Sequence, residues 1–410
     1  MQFNNIKDAI YWLEHQPRFK EKTDLNIVKN AFDKLNINLE GIKKIHIGGT
    51  NGKGSTSQFL TTILTANKIK VGTFTSPYLV KFNERIKINN NYISDEQLLN
   101  YINFFYEFNN TLNEKLSFFE ILTLLSFKYF SDQKCEAIIM EVGIGGRLDA
   151  TNIINYDVSV ITSVGLDHVD KLGSTLLEIA NEKIQILKPQ GHLISAVADE
   201  VKQLFIQYAQ KNKATFKFIK LRDIFPFTPN SFYYGSKLIE VGLLGDYQRT
   251  NALLAYETAQ YLYNFNDIQI LPALKETKWP GRFEEISSNC YIDGAHNIPA
   301  IEALMRNITY IFRNKKITIL FSALKDKQIK EMLEVIKKYN FKIILTSFPD
   351  FRFKSLEEFS NENIQYIEDG YQTFINLINN KDEDEVIIAT GSLHFIGYLK
   401  QMIANDEVKK

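Results

Sequence analysis

Residues 45–56 read Ile45-His46-Ile47-Gly48-Gly49-Thr50-Asn51-Gly52-Lys53-Gly54-Ser55-Thr56. An apolar, β-rich run over 42–47 enters this stretch and a helical pattern over 55–67 leaves it, so the glycines occupy a strand-to-helix turn. Glycines let the backbone wrap an anion, the opening turn of the helix aims amides at it, and Lys53 adds a full positive charge. A phosphate is the ligand that such a turn suits. The spacing departs from the common phosphate-loop pattern, because Gly49 lies only three residues before Gly52 and Gly54 stands between Lys53 and Ser55. A glycine-rich turn with no ligand is the plain alternative, and the strand before and helix after weigh against it.

Working outward, the same alternation recurs. Strands are predicted over 71–75, 137–142, 158–162 and 192–196, and helices over 95–108, 119–130, 174–187 and 199–211. Ser174 is the expected N-cap of the third of these helices. This alternation is the signature of stacked βα units around a mainly parallel sheet. Residues 220–242 read as irregular, with Pro226, Pro229 and Tyr233-Tyr234-Gly235, before a helix opening near Asp246. The pattern breaks over 271–282 (LPALKETKWPGR) and resumes with strands over 290–293, 317–321, 341–346 and 386–389. The expectation is therefore an α/β protein of two domains, 1–279 and 280–410, the second smaller and Rossmann-like. A crevice between two such domains is where a ligand is expected.

Composition narrows the class. The 410 residues carry 48 Lys and Arg against 48 Asp and Glu, a formal charge of zero. That balance argues against a protein built on nonspecific nucleic-acid or anionic-membrane binding. A hydrophobic share of 45% supplies a core. Two cysteines, Cys135 and Cys290, make neither a disulfide framework nor a thiolate cluster. No apolar stretch reaches the ~20 residues needed to cross a bilayer, and the first residues do not read as a secretory signal. The reading is a cytoplasmic protein. The run 381–385 (KDEDE) reads as a solvated loop.

Several further runs carry chemistry. Glu141-Val142-Gly143-Ile144-Gly145-Gly146-Arg147-Leu148-Asp149-Ala150-Thr151-Asn152 begins at the end of an apolar strand, where Mg²⁺ could use a carboxylate together with substrate phosphates. By position alone, Glu141 could equally be a strand-end charge. Ser163-Val164-Gly165-Leu166-Asp167-His168 follows another strand, and Thr75-Ser76-Pro77-Tyr78-Leu79 a third. Ile179-Ala180-Asn181-Glu182-Lys183 lies on a helix, where a lysine ordinarily marks a solvated face. Later come Gly245-Asp246-Tyr247-Gln248-Arg249-Thr250-Asn251-Ala252, Trp279-Pro280-Gly281-Arg282 and Asp293-Gly294-Ala295-His296-Asn297. Arg282 can fork onto phosphate oxygens, and Asp293 can accept from ribose hydroxyls.

Taken together over nearly the whole chain, these runs resemble the Mur ligase superfamily, and the extra Gly54 with DGAHN resembles its folate branch, the folylpolyglutamate and dihydrofolate synthases. The resemblance implies a Mur-ligase-type ATPase domain followed by a glutamate ligase domain. It implies ATP bound by Gly49, Thr50, Asn51, Gly52, Lys53, Gly54, Ser55, Asn251 (towards adenine), Arg282 and Asp293. It further implies Mg²⁺ held by Ser76, Glu141 and His168, and a carbamylated Lys183. Lys53, Lys183, Arg282 and His296 are the implied catalytic set, with a monovalent cation such as K⁺ as a further cofactor. Folate or dihydropteroate, with L-glutamate, are the implied partners, and the chain is expected to be a monomer with no nucleic-acid or membrane partner. The pterin is expected on Phe118, Phe119, Glu120, Leu148 and Asp149, since an aromatic platform plus a carboxylate suits a flat amino-pyrimidine. A core helix starting at Phe118 is the alternative. Lys325 and Asp326 are candidates to help seat glutamate. Three departures stand out: Tyr78 and Tyr247 replace the family's usual histidines, and Arg18-Phe19-Lys20-Glu21-Lys22-Thr23-Asp24 differs from its usual RFG-x-KPG. Two readings compete with the folate ligase, a muramyl-type amino-acid ligase and a nucleotide-dependent switch without ligation. A switch would have no need of Glu141, His168 and Lys183 together.

Overall fold

The computed structural model describes residues 2–17 and 24–408 of the chain. The departure at 18–24 thus lies, but for Asp24, outside the described residues. Contacts divide the chain into two units, Met1–Ile224 with Thr250–Thr277, and Phe225–Arg249 with Lys278–Lys410.

The first unit is built on eight strands: β1 Lys43–Gly48, β2 Val71–Phe74, β3 Ile86–Ile88, β4 Asn91–Tyr92, β5 Ala137–Glu141, β6 Val158–Ile161, β7 His192–Ser195 and β8 Thr215–Phe218. Their order is β4-β3-β2-β5-β1-β6-β7-β8. Only β3 and β4 run antiparallel to their neighbours. The inner strands β2, β5, β6 and β7 are buried along their length, as apolar strands covered by helices on both faces must be. Because β1 lies between β5 and β6 and all three are parallel, the segments after them (49–52, 142–149 and 162–168) leave one edge of the sheet side by side. The segment after β2, with Ser76, joins that edge next to β5.

The helix expected over 174–187 is shorter, Leu176–Ile184, and a separate four-residue helix, Val169–Leu172, precedes it beyond Gly173. Its cap is one residue later than expected. The Thr175 side chain accepts from the Glu178 amide at 3.2 Å, and the Glu178 carboxylate reaches back to the Ser174 and Thr175 amides at 2.8 and 3.0 Å. Thr175 and Glu178 have the three-residue spacing of a capping box, which Ser174 lacks.

The stretch 220–242 is also more ordered than its composition suggests. It forms β9 Ile224–Thr228, β10 Ser231–Tyr234 and β11 Lys237–Glu240, a sheet of order β11-β10-β9. Pro226 reads as a strand breaker, yet β9 is an edge strand, where a missing donor is tolerated.

The second unit also holds a six-stranded sheet of β12 Glu284–Ser287, β13 Cys290–Ile292, β14 Lys316–Phe321, β15 Lys342–Thr346, β16 Ile364–Ile367 and β17 Glu385–Thr390, ordered β12-β13-β17-β14-β15-β16. Apart from β12 its pairs are parallel. Helix Ile298–Ile311 buries Ile301, Leu304, Met305 and Ile308 at helical spacing against this unit's core.

Candidate functional site

Gly48 ends β1 and Lys53 opens a 14-residue helix, Lys53–Ala66, leaving four residues to form the turn. Two of its glycines are obligatory. Gly49 has φ +144° and a Cβ there would sit 2.0 Å from Thr162 Oγ1; Gly52 has φ +88° and a Cβ there would sit 2.4 Å from Asn251 Oδ1. The loop is pinned from β6: the Thr50 amide donates to the Ser163 carbonyl at 2.9 Å and the Asn51 amide to Ser163 Oγ at 3.0 Å. The hydroxyl of Thr50 donates to the Gly165 carbonyl at 3.1 Å, and Thr162 Oγ1 donates to the Asn51 carbonyl at 2.6 Å. Lys53 folds over the turn, with Nζ 3.1 Å from both the Gly49 and Thr50 carbonyls. An ammonium is thereby parked at the mouth of a helix N-terminus, the arrangement that favours a polyphosphate. Gly49→Ala is expected to lower stability by about 1–3 kcal/mol through backbone strain and the clash with Thr162, and to abolish nucleotide binding; a melting curve with and without ADP checks both.

Asn251 lies at this loop rather than remote from it. Its Oδ1 is 3.5 Å from Thr56 Oγ1, close behind Gly52. Ser55 is buried within the helix.

Glu141 ends β5 and is buried, its Oε2 receiving the Ser76 amide at 3.3 Å. His168 follows β6 with φ +51°, its amide donating to Asp167 Oδ1 at 3.0 Å. Glu141 and Ser76 are thus in direct contact, and His168 leaves the same sheet edge. Among the described residues no three His, Cys, Asp or Glu side chains form a closed metal cluster. A buried carboxylate oriented by a backbone amide is a hard oxygen donor, and Mg²⁺ uses few such groups, completing its shell with water and substrate phosphate. The residues present therefore fit that ion.

Lys183 sits on helix Leu176–Ile184 and is only 4% exposed. Burial, reinforced by the Lys53 charge, pulls its amine from 10.5 down to about 7, against the opposing pull of Asp167 and Asp149. Composition alone reads Lys183 as a solvated charge, and burial overturns that reading. Its backbone packs on the Glu141 loop, where a Cβ on Gly146 would be 2.7 Å from the Glu182 carbonyl and 3.0 Å from that of Lys183.

Phe119 packs against the same loop, its ring 2.6 Å from where a Gly143 Cβ would lie. Phe118 sits 5.5 Å from the Arg85 guanidinium, which also lies over Tyr78 at 4.9 Å and Phe82 at 5.3 Å. Leu148 is partly buried against the core. Two of the predicted acceptor residues have local duties. The Glu120 carboxylate accepts from the Ser117 amide and hydroxyl at 2.7 and 2.8 Å, capping its helix. Asp149 Oδ2 accepts from the Gly143 and Ile144 amides at 3.0 and 3.1 Å.

Arg85 and Lys87 are cationic, buried and absent from the sequence reading. Lys87 Nζ donates to Gln58 Oε1, and burial lowers its amine to about 7 despite the Glu141 charge. Arg85 closes the 3-10 turn Phe82–Arg85 and Lys87 lies on β3 just after it, and nothing in their local pattern marks either as buried.

In the second unit, Asp293 is buried just after β13. Its carboxylate accepts from the Phe283 and Ala295 amides, each at 2.8 Å, and from the Tyr247 hydroxyl at 3.3 Å. Burial pushes its pKa up, while Arg282 pulls it back. Arg282 Nη1 lies 2.4 Å from where a Gly294 Cβ would be, and His296 Nδ1 is 2.8 Å from the Gly294 carbonyl. Arg282, Asp293, His296 and Tyr247 therefore form one cluster, with the tyrosine hydroxyl serving where a histidine was expected. Lys325 and Asp326 are exposed on the segment after β14. A surface depression of about 650 Å³, lined by Lys43, Glu136 and Tyr263 among others, lies at the opposite ends of β1 and β5 and contains none of these residues.

The Mur ligase middle domain family model matches residues 47–259, and the Mur ligase, glutamate ligase domain model matches 281–393. The chain is 33% identical to the dihydrofolate synthase/folylpolyglutamate synthase of Bacillus subtilis (strain 168), covering 98% of this chain and all of that one. It is 28% identical to the folylpolyglutamate synthase of Lacticaseibacillus casei, over 97% and 99% of the two chains. Among solved structures, a bifunctional folylpolyglutamate synthase/dihydrofolate synthase with Mn, AMPPNP and L-glutamate bound superposes with a TM-score of 0.86 at 26% identity, covering 98% of each chain. The Yersinia pestis enzyme complexed with AMPPNP and Mn gives a TM-score of 0.87 at 25% identity, again over 98% of each.

Proposed function

The chain belongs to the Mur ligase family, in the branch of the folylpolyglutamate and dihydrofolate synthases, and on that footing we propose that it is an ATP-dependent ligase joining L-glutamate to folates. The observation that carries this reading is a single sheet edge bearing the phosphate turn with Lys53 and the buried Glu141, with the buried Lys183 on a helix packed against the Glu141 loop and its amine pKa shifted down by burial and the Lys53 charge. The acceptor is dihydropteroate, a reduced folate, or both.

Displacing hydroxide from a carboxylate in water is slow, so the acid is activated first. An oxygen of the acceptor carboxylate attacks the γ-phosphorus of ATP, the bond to the β-phosphate oxygen breaks, and ADP departs, leaving an acyl phosphate. The neutral amine of glutamate adds to the acyl carbon, loses a proton, and inorganic phosphate leaves with the C–O electron pair. Positioning and charge neutralisation dominate such a sequence. Lys53 lies across the phosphate turn and Arg282 supplies a planar fork, so both offset the charge on the transferred phosphoryl group. His296, beside Arg282 and Asp293, faces the reacting phosphate or the incoming glutamate. Asn251 and Asp293 hold the nucleoside. Glu141, Ser76 and His168 would hold Mg²⁺, which when bound supplies charge compensation at the phosphates. We assign ATP binding to residues 1–279 and glutamate ligation to 280–410, in a cytoplasmic monomer. Among the described residues no helix is long and apolar enough to cross a membrane.

The test supplies ATP, Mg²⁺, L-glutamate and, side by side, dihydropteroate or tetrahydrofolate, and measures ADP together with the mass of the product. Acceptor-dependent ADP and a product heavier by one glutamyl residue are expected. ADP release indifferent to both acceptors would remove the proposal.

A further inference from the structure

His46 is fully buried on β1, three residues before the phosphate turn, and nothing in the ligation sequence uses it. Its ring stacks on Tyr156 with centroids 4.1 Å apart and planes 15° from parallel. Nε2 is 2.7 Å from Thr151 Oγ1. The direction of that bond follows from the next one. Thr151 Oγ1 lies 2.5 Å from Asp149 Oδ1, and a carboxylate only accepts, so the single hydroxyl proton goes to Asp149. The hydroxyl oxygen must then accept from His46, which fixes the proton on Nε2. Burial, with Lys188 adding to it, holds the imidazole well below its ordinary pKa, so it is neutral and carries that one proton.

The chain of donors continues. Asp149 Oδ1 also takes the Thr151 amide at 2.9 Å, and Oδ2 takes the amides of Gly143 and Ile144. Gly143 in turn lies against Phe119, where even a Cβ would collide. The Tyr156 hydroxyl donates to the Thr151 carbonyl, so the stacked pair grips Thr151 by both side chain and backbone. Through Thr151 and Asp149, His46 thereby links the strand that carries the nucleotide turn to residues 143–144 of the loop after β5.

We propose that His46 is a positioning residue for the acceptor, holding Thr151 so that Asp149 clamps residues 143–144 against Phe119 and gives the acceptor-binding loop its shape. This rests on the assignment of Phe119 and residues 148–149 to folate binding in the proposed function. His46 touches no substrate itself; it acts through Thr151. Its consequence is selective, because the phosphate turn is pinned separately by Ser163, Thr162 and Gly165.

The experiment compares His46→Phe, which keeps the stack on Tyr156 and removes the donor, with Thr151→Val and Thr151→Ser. Initial rates are measured against the acceptor and against ATP. Loss of one buried hydrogen bond is expected to raise the acceptor KM about tenfold in His46→Phe and in Thr151→Val. The KM for ATP should stay at the wild-type value. The double variant should show about the same tenfold rise rather than the product of two, since both changes cut one chain. Thr151→Ser, which retains the hydroxyl, should rescue the acceptor KM. An unmoved acceptor KM, or an equal rise in the KM for ATP, overturns the inference. Should His46→Phe not fold, the Thr151 pair decides by the same criterion. A wild-type protein that releases no acceptor-dependent ADP sinks the folate reading and this inference with it, whereas an active wild type with indifferent variants sinks the positioning role alone.

Discussion

Lys53→Ala is expected to lower kcat by about three orders of magnitude, roughly 4 kcal/mol of barrier, with the melting temperature nearly unchanged. The two halves of that expectation have separate causes. Lys53 is half-buried at the surface of the turn, and its contacts are to the carbonyls of Gly49 and Thr50. Removing it leaves two carbonyls that water can reach, a small cost. The turn itself is held by the Thr50 and Asn51 bonds to Ser163 and by the Thr162 hydroxyl, none of which involves the lysine. In the proposed reaction the same ammonium would face a phosphoryl group whose charge spreads as it transfers. Lys53→Arg should rescue little. A planar fork does not superpose on a compact ammonium folded over two carbonyls of its own loop. Single-turnover rates with circular dichroism melts measure both quantities. Near-normal kcat in Lys53→Ala would remove Lys53 from the catalytic set.

What could be read from the sequence is local. The phosphate turn, the position of Glu141 at a strand end and the two βα alternations each declare themselves within about a dozen residues, the reach over which periodicity and turn chemistry act. The family resemblance extended this to Ser76, His168, Arg282 and Asp293, and the structure gathers Ser76 with Glu141, and Arg282 with Asp293. What escaped depends on partners far along the chain. Pro226 looked like a breaker because its place on an edge strand is set by β10, not by its neighbours. Lys183 looked solvated, and Lys87 drew no notice, because a lysine says nothing of burial until the sheet is assembled. His46 belongs to this second kind: its meaning lies in Thr151, 105 residues away. The cap at Thr175 is the exception, since Glu178 three residues on was visible and marked it.

Lys183→Met carries the other large effect, and it should move activity and stability in opposite directions. The folded-state amine is pulled from 10.5 to about 7. Its protonated form is therefore disfavoured by folding, so the unmodified lysine destabilises the protein fully below about pH 7, and the cost fades as pH rises towards 10.5. Methionine has a similar shape without a charge to desolvate. In CO₂-free buffer at pH 7, Lys183→Met should be more stable than wild type by up to a few kcal/mol, an advantage that shrinks as the pH is raised. The depressed pKa has a chemical counterpart. At neutral pH a sizeable fraction of the amine is unprotonated, and its nitrogen can add to the carbon of CO₂, forming a C–N bond and releasing one proton to give a carbamate. A carbamate there would exchange a buried cation near Lys53 for an anion that complements it, which would remove the cost just described and could offer a carboxylate-like ligand to Mg²⁺. Bicarbonate should therefore raise the wild-type melting temperature, the wild-type mass by one CO₂, and kcat, and should change none of these in Lys183→Met, whose kcat is expected to be lower by about a hundredfold or more. Full activity with unmodified mass in CO₂-free wild type would refute the modification, and a variant less stable than wild type at pH 7 would refute the electrostatic argument beneath it.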